Sequence, residues 1–437
     1  MSSENKTQLF LLDSRSIAVR IALVALALAA ITAAFFTVRW QIGRMLADTA
    51  SPGEKNYVAV ASIASRLAPY DPFAVWTAAS AERSNFLPEQ MHLAERSYES
   101  VVRLSPNEYR FWLDLGRTRE LTDNASGAEA AFRRAVELAP NYAYPHWMLG
   151  NFLLRSGRRD EAFAEFRKVA ETHSTLRQQV FYLAWENIGQ NAAEIEAAVG
   201  NAPQIRAALA PFYAAKKLPD DALRIWQSLS QAEKEEFRSD GETAAKVLFE
   251  KQHFRAAVAM YRELGVANAE IGQIQNGGFE SEINNSNDNF LGWQVQKLKN
   301  LDVTIDAGQR REGRRSLRLT FNGFREPTLQ AATQYVAVEP NARYRLSFAV
   351  KTTELKSAGT PLVEAVDART TKTLAASQPF ADGTKDWQNV SVEFSTSADL
   401  EAVLIRTVRA FCGENCPIVG VVWYDEFKLE RLGKNGK

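Results

Sequence analysis

Residues Tyr109–Tyr142, YRFWLDLGRTRELTDNASGAEAAFRRAVELAPNY, restrict the fold more than any other stretch of the 437-residue chain. Trp112, Leu115 and Gly116 open it, Ala128, Phe132 and Ala135 follow, and Pro140 closes it. A W-x-x-L-G opening, a second helix carrying small and aromatic residues and a terminal proline describe two antiparallel helices whose apolar face is buried only by stacking on a neighbour. One such unit therefore implies others. Shifting the register by about 34 residues toward the C-terminus meets Leu149, Gly150, Ala162, Phe166 and Val169. The reverse shift meets Ala81, Ala94, Tyr98, Val101 and Pro106, and then Leu67 and Pro72 in a half-repeat.

Past Ala170 the phase slips, with Leu176 to Gln190 helical in pattern but out of register. It returns at Leu209, Ala210, Tyr213, Ala222, Trp226 and Leu229, and more weakly at Ala244, Ala245, Leu248, Ala257, Tyr261 and Leu264. Over residues 54–265 the chain resembles the tetratricopeptide repeat family, which implies about five helical hairpins in a right-handed solenoid with a concave, protein-binding face. His146 stands where the opening tryptophan is expected, and Ser174 where the closing proline is expected.

The run Ile21–Val38 holds 18 residues without a charge. At 1.5 Å per residue it extends ~27 Å, close to the hydrocarbon thickness of a bilayer. It reads as a single transmembrane helix following an N-terminal tail (1–20), with Arg20, Arg39 and Trp40 as interfacial anchors. A cleaved signal peptide is the rival, disfavoured because the apolar region is long and Phe35-Phe36-Thr37-Val38 offers no small-x-small cleavage site. Lys6, Arg15 and Arg20 before the span balance Arg39, Arg44 and Lys55 after it, so basic residues alone do not orient it.

From Ile274 onward the apolar period becomes two: Leu317, Leu319, Phe321; Tyr344, Leu346, Phe348, Val350; Val390, Val392, Phe394; Val421, Trp423, Phe427, Leu429. Eight to ten half-buried antiparallel strands in a two-sheet sandwich are expected. Asn276-Gly277-Gly278-Phe279-Glu280, Gly292-Trp293, Ser316-Leu317-Arg318-Leu319, Asp386-Trp387-Gln388-Asn389-Val390 and Trp423-Tyr424-Asp425-Glu426-Phe427 occur in that order. Residues 274–432 thereby resemble the jelly-roll carbohydrate-binding modules of families 4 and 9, within the galactose-binding-like superfamily. The fold class is thus multidomain: a transmembrane helix, an all-α solenoid and an all-β jelly roll.

The resemblance implies a structural calcium ion near the first and last strands, with Glu280 and Asp425 on the matching positions. Sugar recognition requires exposed rings flanked by polar groups. Phe324 and Tyr335 are the favoured ligand-facing rings, with Trp293 and Phe380 as further candidates and Arg325, Glu326 and Gln334 as polar neighbours, while Trp387 and Trp423 are assigned to the core. Cys412 and Cys416, the only cysteines, fit a short loop disulfide in an extracytoplasmic domain or two free thiols.

No catalytic constellation is apparent. Asp425 and Glu426 are adjacent on a strand and point to opposite faces, so they cannot flank one glycosidic bond. His92, His146, His173 and His253 lack metal-ligand spacing. Charge is balanced, 52 basic against 52 acidic residues, which gives no support for a nucleic-acid partner. The expectation is a non-enzymatic envelope scaffold in the cytoplasmic (inner) membrane, with most of the chain periplasmic. Its solenoid would bind a protein and its sandwich a glycan or second protein, in exopolysaccharide or surface-glycan assembly. The alternatives are an accessory subunit of a carbohydrate-active enzyme and a cytoplasmic, membrane-tethered assembly factor with a purely structural sandwich.

Overall fold

The computed structural model describes residues 16–434 apart from 85, 86, 268, 284, 286–289, 414 and 415, and it divides into two compact units, 1–180 and 181–437. Lys6 and Arg15 of the expected tail lie outside the described residues. The first unit opens with α1 (Ile17–Thr49), a 33-residue helix. It is longer than the apolar run that predicts it, and extends roughly 50 Å. Its most apolar 18-residue window is entirely unburied. The helix continues past that window and buries Gly43 and Ala47 against α2 (Tyr57–Leu67) and α3 (Pro72–Arg83). Arg39 donates to the Arg66 carbonyl at 2.6 Å, and Arg44 pairs with Asp71 at 3.3 Å. Asp71 also caps α3 by accepting the Ala74 N–H at 2.9 Å, with Pro72 pre-set at the first helical position.

Three hairpins follow the predicted register: α3 with α4 (Pro88–Leu104), α5 (Tyr109–Leu121) with α6 (Ala125–Leu138), and α7 (Ala143–Arg155) with α8 (Arg159–Thr172). Gly116 and Gly150 show why the motif needs glycine. A Cβ there would lie 2.8 Å from the Phe132 ring and 2.6 Å from the Phe166 ring, the aromatic sixteen positions on in each case. The exchange of tryptophan for His146 preserves the underlying contact. Trp112 Nε1 donates to the Pro106 carbonyl at 2.8 Å, and His146 Nε2 meets the Pro140 carbonyl at 2.8 Å, one repeat later. His146 Nδ1 bonds Glu165, whose carboxyl is pushed up by burial but brought below its ordinary value by that bond and by nearby Lys168.

Helix α9 (Ser174–Asn187) follows in the chain. The second unit contains α10 (Ala192–Val199), α11 (Pro203–Ala215), α12 (Pro219–Gln227), α13 (Gln231–Glu236), α14 (Arg238–Glu250) and α15 (Phe254–Glu263). Gly241 packs on buried Trp226, where a Cβ would lie 2.5 Å from the indole, and Ser230 with Glu233 forms a complete capping box on α13.

Among the described residues ten strands follow in this unit: β1 (Gln294–Val295), β2 (Leu301–Asp306), β3 (Ser316–Phe324), β4 (Ala332–Ala337), β5 (Ala342–Lys356), β6 (Pro361–Asp367), β7 (Thr373–Ala376), β8 (Gly383–Ser395), β9 (Ala402–Arg409) and β10 (Ile418–Lys434). They form two antiparallel five-stranded sheets, in the orders β1-β4-β9-β6-β7 and β2-β3-β10-β5-β8. The inner faces enclose one core around Phe279, Trp293, Leu317, Tyr344, Phe348, Val403 and Phe427.

The expected inward set on the last strand is corrected in one respect. Val422 and Tyr424 point into the core, whereas Val421 and Trp423 share the opposite phase, facing Thr353 and Lys351 of β5. An irregularity between Asp425 and Lys428 then shifts the phase and returns Phe427 to the core. Helix α15 contacts β4 within the second unit.

Candidate functional site

The two outer faces of the sandwich differ. On the β4 side, Tyr335 stacks on Phe254 with centroids 5.6 Å apart and meets Phe249 edge-on at 5.2 Å. Phe254, Val258, Ala337 and Ala402 are buried together there, and Glu401 accepts the Arg255 N–H at 3.3 Å. Tyr335 is partly buried, and its ring is engaged by Phe249 and Phe254 of the last repeat rather than left free for a sugar. Arg406 and Glu364, 2.8 Å apart, form a largely buried ion pair elsewhere on that sheet.

The other expected ligand rings are also corrected. Phe324 is fully buried, Trp293 is 2% exposed within the core beside Phe279 and Phe427, and Phe380 is buried on Phe348 and Tyr424. Gln334 is spent internally, exchanging two 2.9 Å bonds with the backbone of Gln275. Arg325 and Glu326 stand exposed, and the Glu326 carbonyl accepts from buried Arg409 at 3.0 Å. These candidates do not converge on one site. Cys412 and Cys416 are joined as a disulfide, and Arg409 donates to the Cys416 carbonyl at 2.7 Å.

Glu280 and Asp425 do converge, on the loop 307–315 between β2 and β3. Glu280 Oε1 accepts the N–H groups of Arg314 (2.8 Å) and Arg315 (3.2 Å). Asp425 Oδ2 accepts those of Arg311 (2.8 Å) and Glu312 (3.3 Å), while its Oδ1 accepts from Glu426 at 2.7 Å. Asp306 anchors the start of the loop through the Gly308 N–H at 2.6 Å and also accepts from Trp423 Nε1 at 2.8 Å. The Arg314 and Arg315 N–H bonds hold Glu280 below its ordinary value, whereas burial pushes Asp425 up despite its three N–H donors.

This donor set fits a loop clamp and does not fit a hard-cation cage. A cation needs six or more converging oxygens, while the carboxylates here face the positive ends of N–H dipoles. Among the described residues no group of three or more His, Cys, Asp or Glu side chains is placed to hold a metal.

Sequence reasoning missed the outward face of the second sheet. Trp423 lies opposite Arg318 of β3 and Lys351 of β5, and Arg318 lies opposite Thr304 of β2. One extra residue in β8, between the pairs Val350–Gln388 and Thr352–Lys385, sets Asp386 and Trp387 against Lys351. Lys351 Nζ reaches Asp386 at 3.0 Å, and Trp387 remains partly exposed. Its phase was already visible in the sequence, since Trp387 falls on the opposite parity from the inward Val390, Val392 and Phe394.

In the first unit, a cavity of about 580 Å³ lies where α1, α3 and α5 meet, lined by Tyr57, Phe73, Trp76, Arg83 and Arg117 among others. Asp114 organises its polar side, accepting from Trp76 Nε1 at 2.8 Å and from Arg83 at 3.0 Å.

Comparison with known proteins finds two families in the chain. A carbohydrate binding domain family matches residues 272–409, and a tetratricopeptide repeat family matches residues 109–142. The chain thus contains a tetratricopeptide repeat and a carbohydrate-binding-type domain. No curated protein matches. Among solved structures, one titled "CBM4 structure and function" is 16% identical over 36% of this chain and 99% of its own, with a TM-score of 0.27. MamA residues 41-end from Desulfovibrio magneticus RS-1 is 24% identical over 31% of this chain and 75% of its own, with a TM-score of 0.27. TmCBM61 in complex with beta-1,4-galactotriose is 15% identical over 37% and 99% of the two chains, with a TM-score of 0.26.

Proposed function

We propose that this chain is a membrane-anchored, non-enzymatic scaffold of a cell envelope, in which the helical repeats hold a protein partner and the sandwich contacts a glycan. The observation that carries this reading is the continuity of α1. One helix leaves the apolar stretch and, without a linker, packs Ala47 against the first repeat while Arg44 pairs with Asp71. An anchor built in this way holds the repeats at a fixed distance from a bilayer, as a scaffold requires. The apolar and aromatic cavity bounded by α1, α3 and α5 supports a partner segment docking close to that bilayer.

The Cys412–Cys416 disulfide supports placing the sandwich in an oxidising, extracytoplasmic compartment, because such bonds are rare where thiols are kept reduced. It favours a periplasmic orientation over a cytoplasmic assembly factor. Exopolysaccharide or surface-glycan assembly is the process that joins an envelope scaffold to a carbohydrate-binding-type domain.

The full-length chain, carrying alternative C-terminal reporters, tests the reading. It should resist alkaline extraction from membranes, show activity of a reporter that works only outside the cytoplasm, and bind selectively on a glycan array in detergent micelles. Activity of a cytoplasm-only reporter would overturn the orientation, and release by alkali would overturn the anchor. An array without any bound glycan would remove the carbohydrate role.

A further inference from the structure

The loop 307–315 reads AGQRREGRR, with four arginines against one glutamate in nine residues, and Arg318 follows on β3. What makes this more than a solvated basic run is how it is held. Glu280 and Asp425 take four of its backbone N–H groups, and Asp306 takes a fifth. The acids therefore fix the main chain and leave most of the guanidinium capacity unspent. The Arg314 side chain is 90% exposed, with Glu280 no nearer than 3.8 Å. Among the described residues Arg310 donates only to the Ala307 carbonyl, at 3.2 Å, and Arg315 pairs with an 80%-exposed Glu282 at 2.7 Å. A rigid backbone carrying exposed guanidinium groups loses little entropy on binding an anion, and each guanidinium can pair with a carboxylate through two N–H groups.

The loop also adjoins a surface with the chemistry of a sugar platform. Arg311 lies close enough to Asp386 to lower that carboxyl, though less than the Lys351 hydrogen bond does. Trp387 follows Asp386 on the same bulge, and Asp306 at the loop's start holds the Trp423 indole. Cations and a partly exposed indole thus share one end of the outer face of the β2-β3-β10-β5-β8 sheet, the face the α14–α15 hairpin does not use.

We propose that this loop and the adjoining sheet face form a binding site for an acidic polysaccharide, with uronate carboxylates paired to Arg310, Arg311 and Arg314 and a sugar ring resting on Trp387. The proposal rests on the reading that the sandwich contacts a glycan, and adds the site and the charge class of the ligand. Charge complementarity selects the class: a neutral glycan would leave this density of exposed guanidinium groups unmatched.

The test uses the full-length protein in detergent micelles with immobilised polygalacturonate as probe and dextran as the neutral control. Phosphatidylglycerol vesicles and a DNA oligonucleotide separate a uronate site from general attraction to polyanions. Polygalacturonate should be retained and dextran not, with retention falling as salt rises. The R310Q/R311Q/R314Q variant should weaken binding by roughly tenfold or more, and W387A by roughly threefold. The melting temperature of the triple variant should be unchanged, because the carboxylates grip backbone rather than side chains. Undiminished binding by the triple variant, or equal retention on vesicles or DNA, overturns the proposal. Binding of neutral glycans alone overturns it while leaving the broader glycan role intact; binding of no glycan removes both.

Discussion

The two outer faces of the sandwich have opposite fates. The face of β4 and β9 is covered by α14 and α15, where Tyr335, Phe254 and Phe249 interlock, while that of β3, β10, β5 and β8 keeps Trp387, Lys351 and Arg318 at the surface. Apolar matter on a sheet face is consumed wherever another element of the chain can reach it; charge is retained where none does. Position relative to the last repeat thus decides which residues remain for a ligand, and resemblance to a binding module does not.

The largest effect should come from opening the covered face. Phe254 is 5% exposed and contacts both Phe249 and Tyr335. Phe254→Ala is expected to destabilise the second unit by about 3 kcal/mol, measured by denaturant unfolding with tryptophan fluorescence. A loss below about 1 kcal/mol would mean that the helices and sheet are only weakly joined, and the contrast between faces would fail.

The next effect concerns the loop clamp. Asp425 is 1% exposed and accepts three N–H groups. Asp425→Asn keeps the shape but places an amide where a carboxylate accepted, and should cost about 2 kcal/mol. Added calcium should leave the wild-type melting temperature unchanged, because the carboxylate oxygens already face N–H donors. A calcium-dependent rise that Asp425→Asn abolishes would instead assign the site to a cation.

Much of the architecture was legible in the sequence because repeated close contacts demand particular residues at fixed intervals. Gly116 with Phe132, and Gly150 with Phe166, are written into the chain by the absence of room for a Cβ. Even the apparent defect at His146 keeps the bond from a ring nitrogen to the carbonyl six residues earlier. Strand phase was equally readable along Tyr344, Leu346, Phe348 and Val350, all of which point inward.

The candidate site was not readable, for two physical reasons. Phe324 and Tyr335 adjoin polar segments, but burial depends on partners distant in sequence, and Tyr335 is covered by helices 80 or so residues earlier. The loop 307–315 looked unremarkable in a chain of zero net charge, because its significance lies in carboxylates at 280 and 425 that only the fold brings to it.

A smaller, pH-dependent effect should separate those two acids. Glu280 is held below its ordinary value of 4.5, chiefly by the Arg314 N–H, so its stabilisation is present above that value and lost as pH falls through the lowered pKa. Glu280→Gln should remove this term, and the stability gap between wild type and variant should close in acid. Asp425 works in reverse: burial raises it above 3.8, so the folded chain holds that proton longer and this term weakens the fold as pH rises through the shifted range. Asp425→Asn should lack that slope. Identical pH profiles for the two variants would show that the acids do not play separable roles in the clamp.

The smallest effect should come from the open face. Trp387 lies on the bulge of an edge strand, partly exposed, with the core supplied instead by Val390, Val392 and Phe394. Trp387→Ala should therefore change stability by under about 1 kcal/mol, far less than truncating the sequestered aromatic Phe254, although the indole is the larger side chain. Denaturant midpoints of the two variants under identical conditions make the comparison direct. A similar loss from both would mean that the Trp387 ring is packed as firmly as Phe254, leaving neither face with an aromatic to offer; a small loss keeps the indole available for a ligand.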